Sequence, residues 1–515
     1  MGVGGLTFFI FSSLVLYFLV GFIKLIYKLW WKPIQIQKFM GSQGVKGPSY
    51  KFLHGNTKEA LNMTKEAMKD PMELTNDILP RVQPNIHIWM QLYGKNHLSW
   101  YGCKAQFVVT EPDLIKEVMN NKNGVYSKIE QNEYVKKMLG DGLVTVEGKK
   151  WSRQRKLANH AFHVENLKGM VPTIVTSVEE MLKRWGNHET KEIEVVKEYI
   201  MLTSDVISKT AFGSNYQEGQ DIFNMLTKLG SIIAGNFNKV QIPVIGKFLM
   251  SSDDHEADKL EHGMRESFID LIRQRKEKMC MGDIEGYGSD YLGLLLKANQ
   301  DINENTRISV DDMIDECKTF YLAGQETTMS LLTWSTLLLA VHTDWQEKAR
   351  KEVFDLFGKK HPNTDDNNIS KMKTMTMIIN ETLRLYPPAL TILRKVTCQV
   401  QLGEIVLPPN MEIVIPLLVS HNDPHIWGEN AHLFKPDRFA EGVTGAAQNT
   451  SAYLPFGMGP RICVGSNFAA IEVKIALCMI LQRYAFTLSS SYVHSPIQHL
   501  TTRPQYGVQI NLHPL

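Results

Sequence analysis

The stretch that most narrows what this chain can fold into is residues 453–465, YLPFGMGPRICVG. Gly457, Gly459 and Gly465 permit tight backbone geometry and close approach to something flat, and Pro460 restricts the loop further. Cys463 lies inside it. An apolar run with helical spacing, FAAIEVKIALCMILQRYAF (468–486), follows at once. Free backbone N–H groups at a helix start lower a thiol's pKa and stabilise the thiolate. No second Cys or His lies nearby to complete a zinc site, and a single thiolate is what an axial haem ligand requires. On that reading Arg461 pairs with a haem propionate. Two other readings stay open: a nucleophilic cysteine, for which the sequence offers no local base, and a buried structural thiol.

The rest of the chain sets bounds. It has 515 residues, with no linker that would cut it into separate domains. Net charge is +2 and charged residues make up 21% of the chain, which gives no strong pull toward nucleic acid. The six cysteines (103, 280, 317, 398, 463 and 478) lie far apart with no CxxC pair, which argues against a disulfide scaffold or zinc knuckle. Apart from Cys463, they read as buried thiols in a reducing compartment.

Residues 4–23, GGLTFFIFSSLVLYFLVGFI, carry no charge. At helical rise they span about 30 Å, one hydrocarbon core. Lys24, Lys28 and Lys32 follow, with Trp30 and Trp31 at interface height. No basic residue precedes the run, so the positive side, and with it residues 24–515, is expected in the cytoplasm. A cleaved signal peptide would want a basic start, a short apolar region and a small-residue cleavage site. The sequons at Asn62, Asn368, Asn380 and Asn449 are then expected to stay unmodified. The expected organisation is an anchor and basic flank at 1–32, a hinge at 33–50 and a catalytic body at 51–515. The glycine-rich 41–48 serves either to orient the body on the membrane or as an ordinary linker.

Within the body, 87–92 and 105–109 resemble two short strands. Pro112–Asn120 reads as a helix with proline in its first turn. The stretch 125–142 is either a mobile loop over a pocket or a solvated connection. Trp151 and Arg155 share one face of a helix that could hold an anion, although a basic surface helix shows the same pattern. From about 165 to 285 the spacing is mostly helical. Ser309 and Asp312 form a capping pattern ahead of a long apolar-periodic helix, 313–342. Its middle, Ala323–Thr328, is either a kink in a core helix with a solvated Glu326, or a local opening that admits a ligand and supplies an acid–alcohol pair. Glu381 and Arg384 share a face of the helix 371–385, which LYPPAL (385–390) ends. Short strands and a Pro408–Asn410 turn follow, then a cluster at Phe434–Phe439 expected to pack on the Glu381–Arg384 pair.

Taken together, these stretches resemble the cytochrome P450 family. Phe456, Gly459, Arg461, Cys463 and Gly465 meet its haem-loop pattern. Ala323, Gly324, Glu326, Thr327 and Thr328 meet the central-helix pattern; Glu381 with Arg384 meets the glutamate–arginine pair. Phe434, Pro436, Arg438 and Phe439 meet the aromatic–proline–arginine cluster, and Trp151 with Arg155 the tryptophan–arginine helix. The segments GVKGPSYKFLHGN (44–56), WSRQRKLANHAFH (151–163) and LRLYPPA (383–389) narrow the resemblance to plant microsomal members of the clan that includes secologanin-synthase-like enzymes.

The resemblance implies a mainly α fold, a helical prism with small β-sheets after an N-terminal transmembrane helix. It implies haem b with Cys463 as proximal thiolate, Phe456 in the cofactor loop, and Trp151, Arg155, Arg394 and Arg461 on the propionates. Glu326 and Thr327 would serve oxygen and proton handling, while Glu381, Arg384 and Arg438 would lock the core. Candidate substrate contacts are Phe320, Tyr321, Ala323, Ala389, Leu390, Ile392, Leu393 and Thr501. The implied reaction is monooxygenation of a hydrophobic plant metabolite (terpenoid, hormone-like or fatty-acid-like). It would use O2 and electrons from NADPH through a cytochrome P450 reductase, with cytochrome b5 as a further candidate partner and the endoplasmic reticulum membrane as the address. Lys149, Lys150 and Arg153 would meet an acidic reductase face. The alternative is a P450-like isomerase or dehydratase that uses no reductase.

Overall fold

The computed structural model describes residues 3–187, 191–236, 251–304, 306–363, 367–447 and 449–515. The helical spacing expected over 165–285 therefore includes two stretches, 188–190 and 237–250, outside the described residues. Elsewhere the chain is mostly helical, with twelve strands in four small sheets among the described residues.

The apolar start forms the helix Val3–Ile26 and continues through a π-helical turn, Tyr27–Trp31, into a second helix, Lys32–Ser42. Side chains from Phe8 to Ile23 project away from the body, and Phe8–Ser42 is long and apolar enough to cross a membrane. The expected hinge at 33–50 is different in kind. Residues 33–42 are helical, and Met40, Val45 and Tyr50 are buried with Ile34 and Ile36 packed beside them. The apolar content of this segment gives it surface to bury, so it seats on the body. Gln43 exchanges two hydrogen bonds with the backbone of Val406, at 3.0 and 2.7 Å.

Strands β1 (His97–Tyr101), β2 (Lys104–Val108) and β3 (Tyr126–Ser127) come early; β4 (Glu192–Glu194) stands alone in mid-chain. Then follow β5 (Thr391–Val396), β6 (Val400–Leu402), β7 (Ile405–Leu407) and β8 (Glu412–Pro416). The last four are β9 (Tyr484–Leu488), β10 (Pro496–Gln498), β11 (Thr502–Pro504) and β12 (Gln509–Pro514). The largest sheet runs β1-β2-β8-β5-β3, with β2 parallel to β8 and the other pairs antiparallel. One apolar cluster fills the helical side, and a second lies around this sheet.

Several expectations change here. Residues 87–92 are not a strand but part of a helix, Pro84–Tyr93, with proline in its first turn and Gly94 at its end. Ile86 and Trp89 point inward at helical spacing, a pattern too short to separate from a strand by periodicity. The run after Cys463 is helical only over Ser466–Arg483; Tyr484 starts β9, which finds a partner in β12. Cys317 and Cys478 are buried thiols as expected, but Cys280 and Cys398 are exposed.

The stretch 125–142 is neither a mobile loop nor a solvated connection. It holds β3 and a helix, Glu133–Leu139, capped by Asn132. Its terminal glycines seat against the long helix Val310–Val341, hereafter the central helix. A Cβ at Gly142 would lie 2.3 Å from Thr319 Oγ1, and Thr319 donates to the Leu139 carbonyl at 2.8 Å. The central helix has the expected reciprocal cap between Ser309 and Asp312. Buried Glu316 accepts from the Leu143 N–H at 2.7 Å and from the Tyr291 hydroxyl, which joins three segments at one carboxyl group.

Gly324, in the segment read as either a kink or a local opening, has a packing reason to be glycine. The neighbouring helix Val195–Phe212 packs so closely that a Cβ at Gly324 would lie 2.6 Å from Ile207 Cγ1. Gly324→Val is expected to lose roughly 1–3 kcal/mol of stability through overpacking, and Ile207→Ala in the same chain to recover part of it in chemical denaturation. A second expectation concerns Glu316, whose carboxyl is pushed up to about 7, first by burial. Its contribution to stability is full below the unfolded value and is lost as pH rises through about 7. Glu316→Gln should therefore flatten the decline in unfolding free energy across that window, measured by denaturation at stepped pH.

Candidate functional site

Loop 453–465 is folded by its own backbone. The Gly457 N–H donates to the Leu454 carbonyl at 2.9 Å, and the Cys463 N–H donates to the Phe456 carbonyl at 2.9 Å. Gly457 and Gly459 have φ of 73° and 70°, the left-handed region that favours glycine. A Cβ at Gly459 would also lie 2.6 Å from the Met119 carbonyl oxygen, so the loop rests directly on the Pro112–Asn120 helix. Gly465 shows neither feature: its φ is −91° and nothing lies within reach of a Cβ there.

Cys463 has accessible surface, yet it is crowded enough that burial pushes its thiol up. The Gly465 N–H and the Arg155 guanidinium oppose that rise without overcoming it. The low thiol pKa expected from the helix start is not present in the protein alone, because desolvation outweighs the few N–H groups near the sulfur.

Beside the loop lies a cavity of about 210 Å3 whose lining includes Lys128, Glu147, Trp151, Arg394 and Arg461. Arg461 lies over the Trp151 ring, 4.3 Å from its centroid. Its Nη2 is 3.9 Å from Glu147, and its buried Nη1 has no hydrogen-bond partner in the protein. Register in the sheet places Arg394, opposite Ile413, toward the same cavity, where its guanidinium meets the Leu393 carbonyl at 2.8 Å. Burial, then repulsion from Arg461, lowers Arg394 to about 10. Lys128 falls to about 7 through burial, then through Arg394 and Arg461. Three cations with one nearby acid, crowded until they repel one another, form a site for anionic groups. Arg155 sits apart from that cavity lining and donates to the Ile462 carbonyl at 2.5 Å, next to Cys463.

On the central helix, Thr327 is accessible, and its hydroxyl donates to the Ala323 carbonyl at 2.6 Å. Ala323 is half-buried. Glu326 is buried, and its carboxylate is occupied. Thr501 donates to it at 2.8 Å, and Arg503 binds both oxygens, through Nε at 2.7 Å and through Nη2. The acid–alcohol pair adjacent in sequence thus belongs to two separate sets of contacts, and the solvated-Glu326 alternative does not hold.

The candidate substrate contacts divide. Ala389 is exposed, and Ile392 and Leu393 are half-buried. Leu390 is buried in the helical core. Phe320 stacks on Phe162 with centroids 5.5 Å apart, and Tyr321 packs on Phe212 at 4.4 Å. Both are core residues, because the inward face of the central helix meets other helices there. Thr501 is committed to Glu326. Among the basic residues expected on a partner face, Lys150 pairs with Asp312 at 2.7 Å and Arg153 donates to the Arg307 carbonyl at 2.6 Å. Lys149 alone of those three is exposed.

Behind the loop, Glu381 and Arg384 are fully buried and form a two-point pair at 2.7 and 2.7 Å. Phe434–Phe439 packs on them as expected. The Lys435 N–H donates to Glu381 at 2.9 Å and Arg438 Nε donates at 3.3 Å. Sequence spacing missed Lys128 in the cavity, Arg503 on Glu326, and His421, whose ring accepts the Leu454 N–H behind the loop. Each reaches the site through tertiary packing rather than motif position, so no local pattern marks it. Arg384→Ala would leave a buried carboxylate without its main cation. It is expected to lower stability by about 3–5 kcal/mol, measured by denaturant unfolding of the full chain.

Comparison with known proteins shows the family. Residues 81–512 match the family model described as Cytochrome P450. The chain is 53% identical over 510 residues to Cytochrome P450 CYP749A22 of Panax ginseng, covering 98% of this chain and 97% of that one. It is 41% identical to Cytochrome P450 CYP72A616 of Paris polyphylla, with 95% of each chain covered. It is 38% identical to Cytochrome P450 734A1 of Arabidopsis thaliana, covering 95% of this chain and 93% of the relative.

Proposed function

Because the chain belongs to the cytochrome P450 family, among plant members of the clan that includes secologanin-synthase-like enzymes, we propose that it oxidises a hydrophobic plant metabolite with Cys463 holding the haem iron. The family's cofactor is haem b and its oxidant is O2. The observation that carries the residue assignment is the pairing of a loop that presents one cysteine with a cluster of cations short of acids. Haem b has one iron for a thiolate and two carboxylates for cations, so one group satisfies both features.

In this reading Trp151 and the Arg461, Arg394 and Lys128 cations would bind the propionates. The unpartnered Arg461 Nη1 would be available to a carboxylate oxygen. Arg155 braces the Ile462 carbonyl and so holds the backbone that presents Cys463. Phe456 closes the loop by accepting the Cys463 N–H. When bound, haem supplies oxygen activation, with thiolate donation favouring O–O cleavage. Thr327 has an accessible hydroxyl that can hold a proton at Oγ1 once it leaves the Ala323 carbonyl. Ala323, Ala389, Ile392 and Leu393 form the apolar wall offered to substrate.

Electrons come from NADPH through a reductase, with Lys149 the remaining candidate for the partner face. The N-terminal helix anchors the chain in the endoplasmic reticulum membrane with the catalytic body in the cytoplasm. The membrane also concentrates lipophilic substrates of the terpenoid, hormone-like or fatty-acid-like kind.

The test is expression of the full chain with a plant reductase, followed by product analysis against those substrate panels. Product formation that needs NADPH and reductase supports the monooxygenase; turnover without them favours an isomerase or dehydratase. The ligand assignment has its own measurement. Cys463→Ala is expected to abolish the thiolate-type absorption of the reduced, carbon-monoxide-bound protein, and a retained band overturns the assignment.

A further inference from the structure

His421 is buried, and both of its ring nitrogens are used by backbone groups of different elements. Nδ1 is 3.1 Å from the carbonyl oxygen of Arg384, at the end of the Lys373–Leu385 helix. Nε2 accepts the N–H of Leu454, at the start of loop 453–465, at 3.0 Å. A backbone N–H needs a lone pair, so Nε2 is unprotonated. A carbonyl needs a donor, so the proton sits on Nδ1. Only the neutral Nδ1–H tautomer makes both bonds. The surroundings enforce neutrality. Burial, then the Arg384 guanidinium, lowers the imidazole to about 3.

The contacts around the ring are reciprocal. Arg384 Nη1 donates to the His421 carbonyl at 2.8 Å, so the two residues clasp each other through one side chain and one backbone group each. The His421 ring lies 5.5 Å from that of Tyr453, whose hydroxyl donates to the Asn380 carbonyl at 3.0 Å on the same helix. The next bond along the loop is the turn between Gly457 and Leu454, and the Phe456 carbonyl then fixes the Cys463 N–H.

We propose that His421 is a positioning residue for Cys463: through its Nδ1–H tautomer it transmits the position of the Glu381–Arg384 pair to the loop that presents the thiolate. The proposal rests on the reading that Cys463 holds the haem iron. It assigns His421 no contact with substrate or cofactor.

Two amide substitutions separate the two bonds. The Gln amide reaches the Nε2 position, so His421→Gln keeps an acceptor for the Leu454 N–H. The Asn amide reaches only the Nδ1 position, so His421→Asn keeps the donor to Arg384 and orphans that N–H. The measurement is the fraction of bound haem with the thiolate-type carbon monoxide band in the full-length protein, alongside the thermal unfolding midpoint of the same preparation. His421→Asn and His421→Ala are expected to lower that fraction roughly tenfold, the scale of one buried backbone group left unpaired. His421→Gln should keep most of it while melting like His421→Asn. The proposal is overturned if the Gln and Asn variants carry equal fractions, or if the fraction in every variant follows only how much of it is folded. A wild-type protein without the band overturns the haem–thiolate reading itself, and this proposal with it.

Discussion

The interaction on which the rest of this structure depends is the burial of one carboxylate, Glu381. A charge with no solvent contact stands only where donors replace water. Glu381 has four: two from Arg384, one from the Lys435 N–H and one from Arg438. Those donors cannot be supplied by one element. The helix Lys373–Leu385, the segment around Lys435 and the Arg438 turn must all converge, and Arg438 also reaches the Trp427 carbonyl at 2.7 Å. The helix's position then propagates through the Tyr453 hydroxyl, which donates to Asn380, and through the His421 ring, which joins Arg384 to Leu454. The loop carrying Cys463 is thus held from behind by a charge it never touches.

The front of the site follows the opposite principle. Behind the loop Glu381, Arg384 and Arg438 are matched to one another, while beside it Lys128, Arg394 and Arg461 gather around a single acid, Glu147. Burial first, then neighbouring cations, lowers the pKa of each, so an anion bound there would relieve an unfavourable cluster. A matched core behind the loop and an unmatched cluster of cations beside it are built on opposite electrostatic principles.

Motif spacing made the matched core readable. Glu381 and Arg384 share a helix face, and the Phe434–Phe439 cluster had one obvious place to pack. The Ser309–Asp312 cap and the apolar N-terminal helix are equally legible, because each is encoded in a local run of sequence. What spacing did not disclose depends on distant partners. Gly324 reads from sequence as a kink or an opening, and its close packing on Ile207 leaves no local trace. Residues 87–92 fit a strand as well as a helix until Ile86 and Trp89 found their core. Phe320 and Tyr321 lie on the right helix but turn toward the Phe162 and Phe212 rings. Lys128, His421 and Arg503 act through tertiary contacts that leave no periodic trace.

Glu326 and Thr327 carry that lesson furthest. Neighbours in sequence are about 100° apart around a helix of 3.6 residues per turn, so an acid–alcohol pair written side by side does not face one target. Thr327 is accessible, whereas Glu326 is held by Thr501 and Arg503, at the edge of the β10–β11 hairpin. The hairpin is itself clamped, since Thr502 donates to Pro388 at 3.0 Å and accepts from Ser330 and Trp334 through its carbonyl. A Cβ at Gly230 would lie 2.9 Å from Leu500, so the helix Tyr216–Asn236 rests on the same tip. For Glu326 to hand a proton toward Thr327, its carboxylate must first leave Arg503. The acid's availability is therefore governed by packing at the hairpin as well as by its place in the motif.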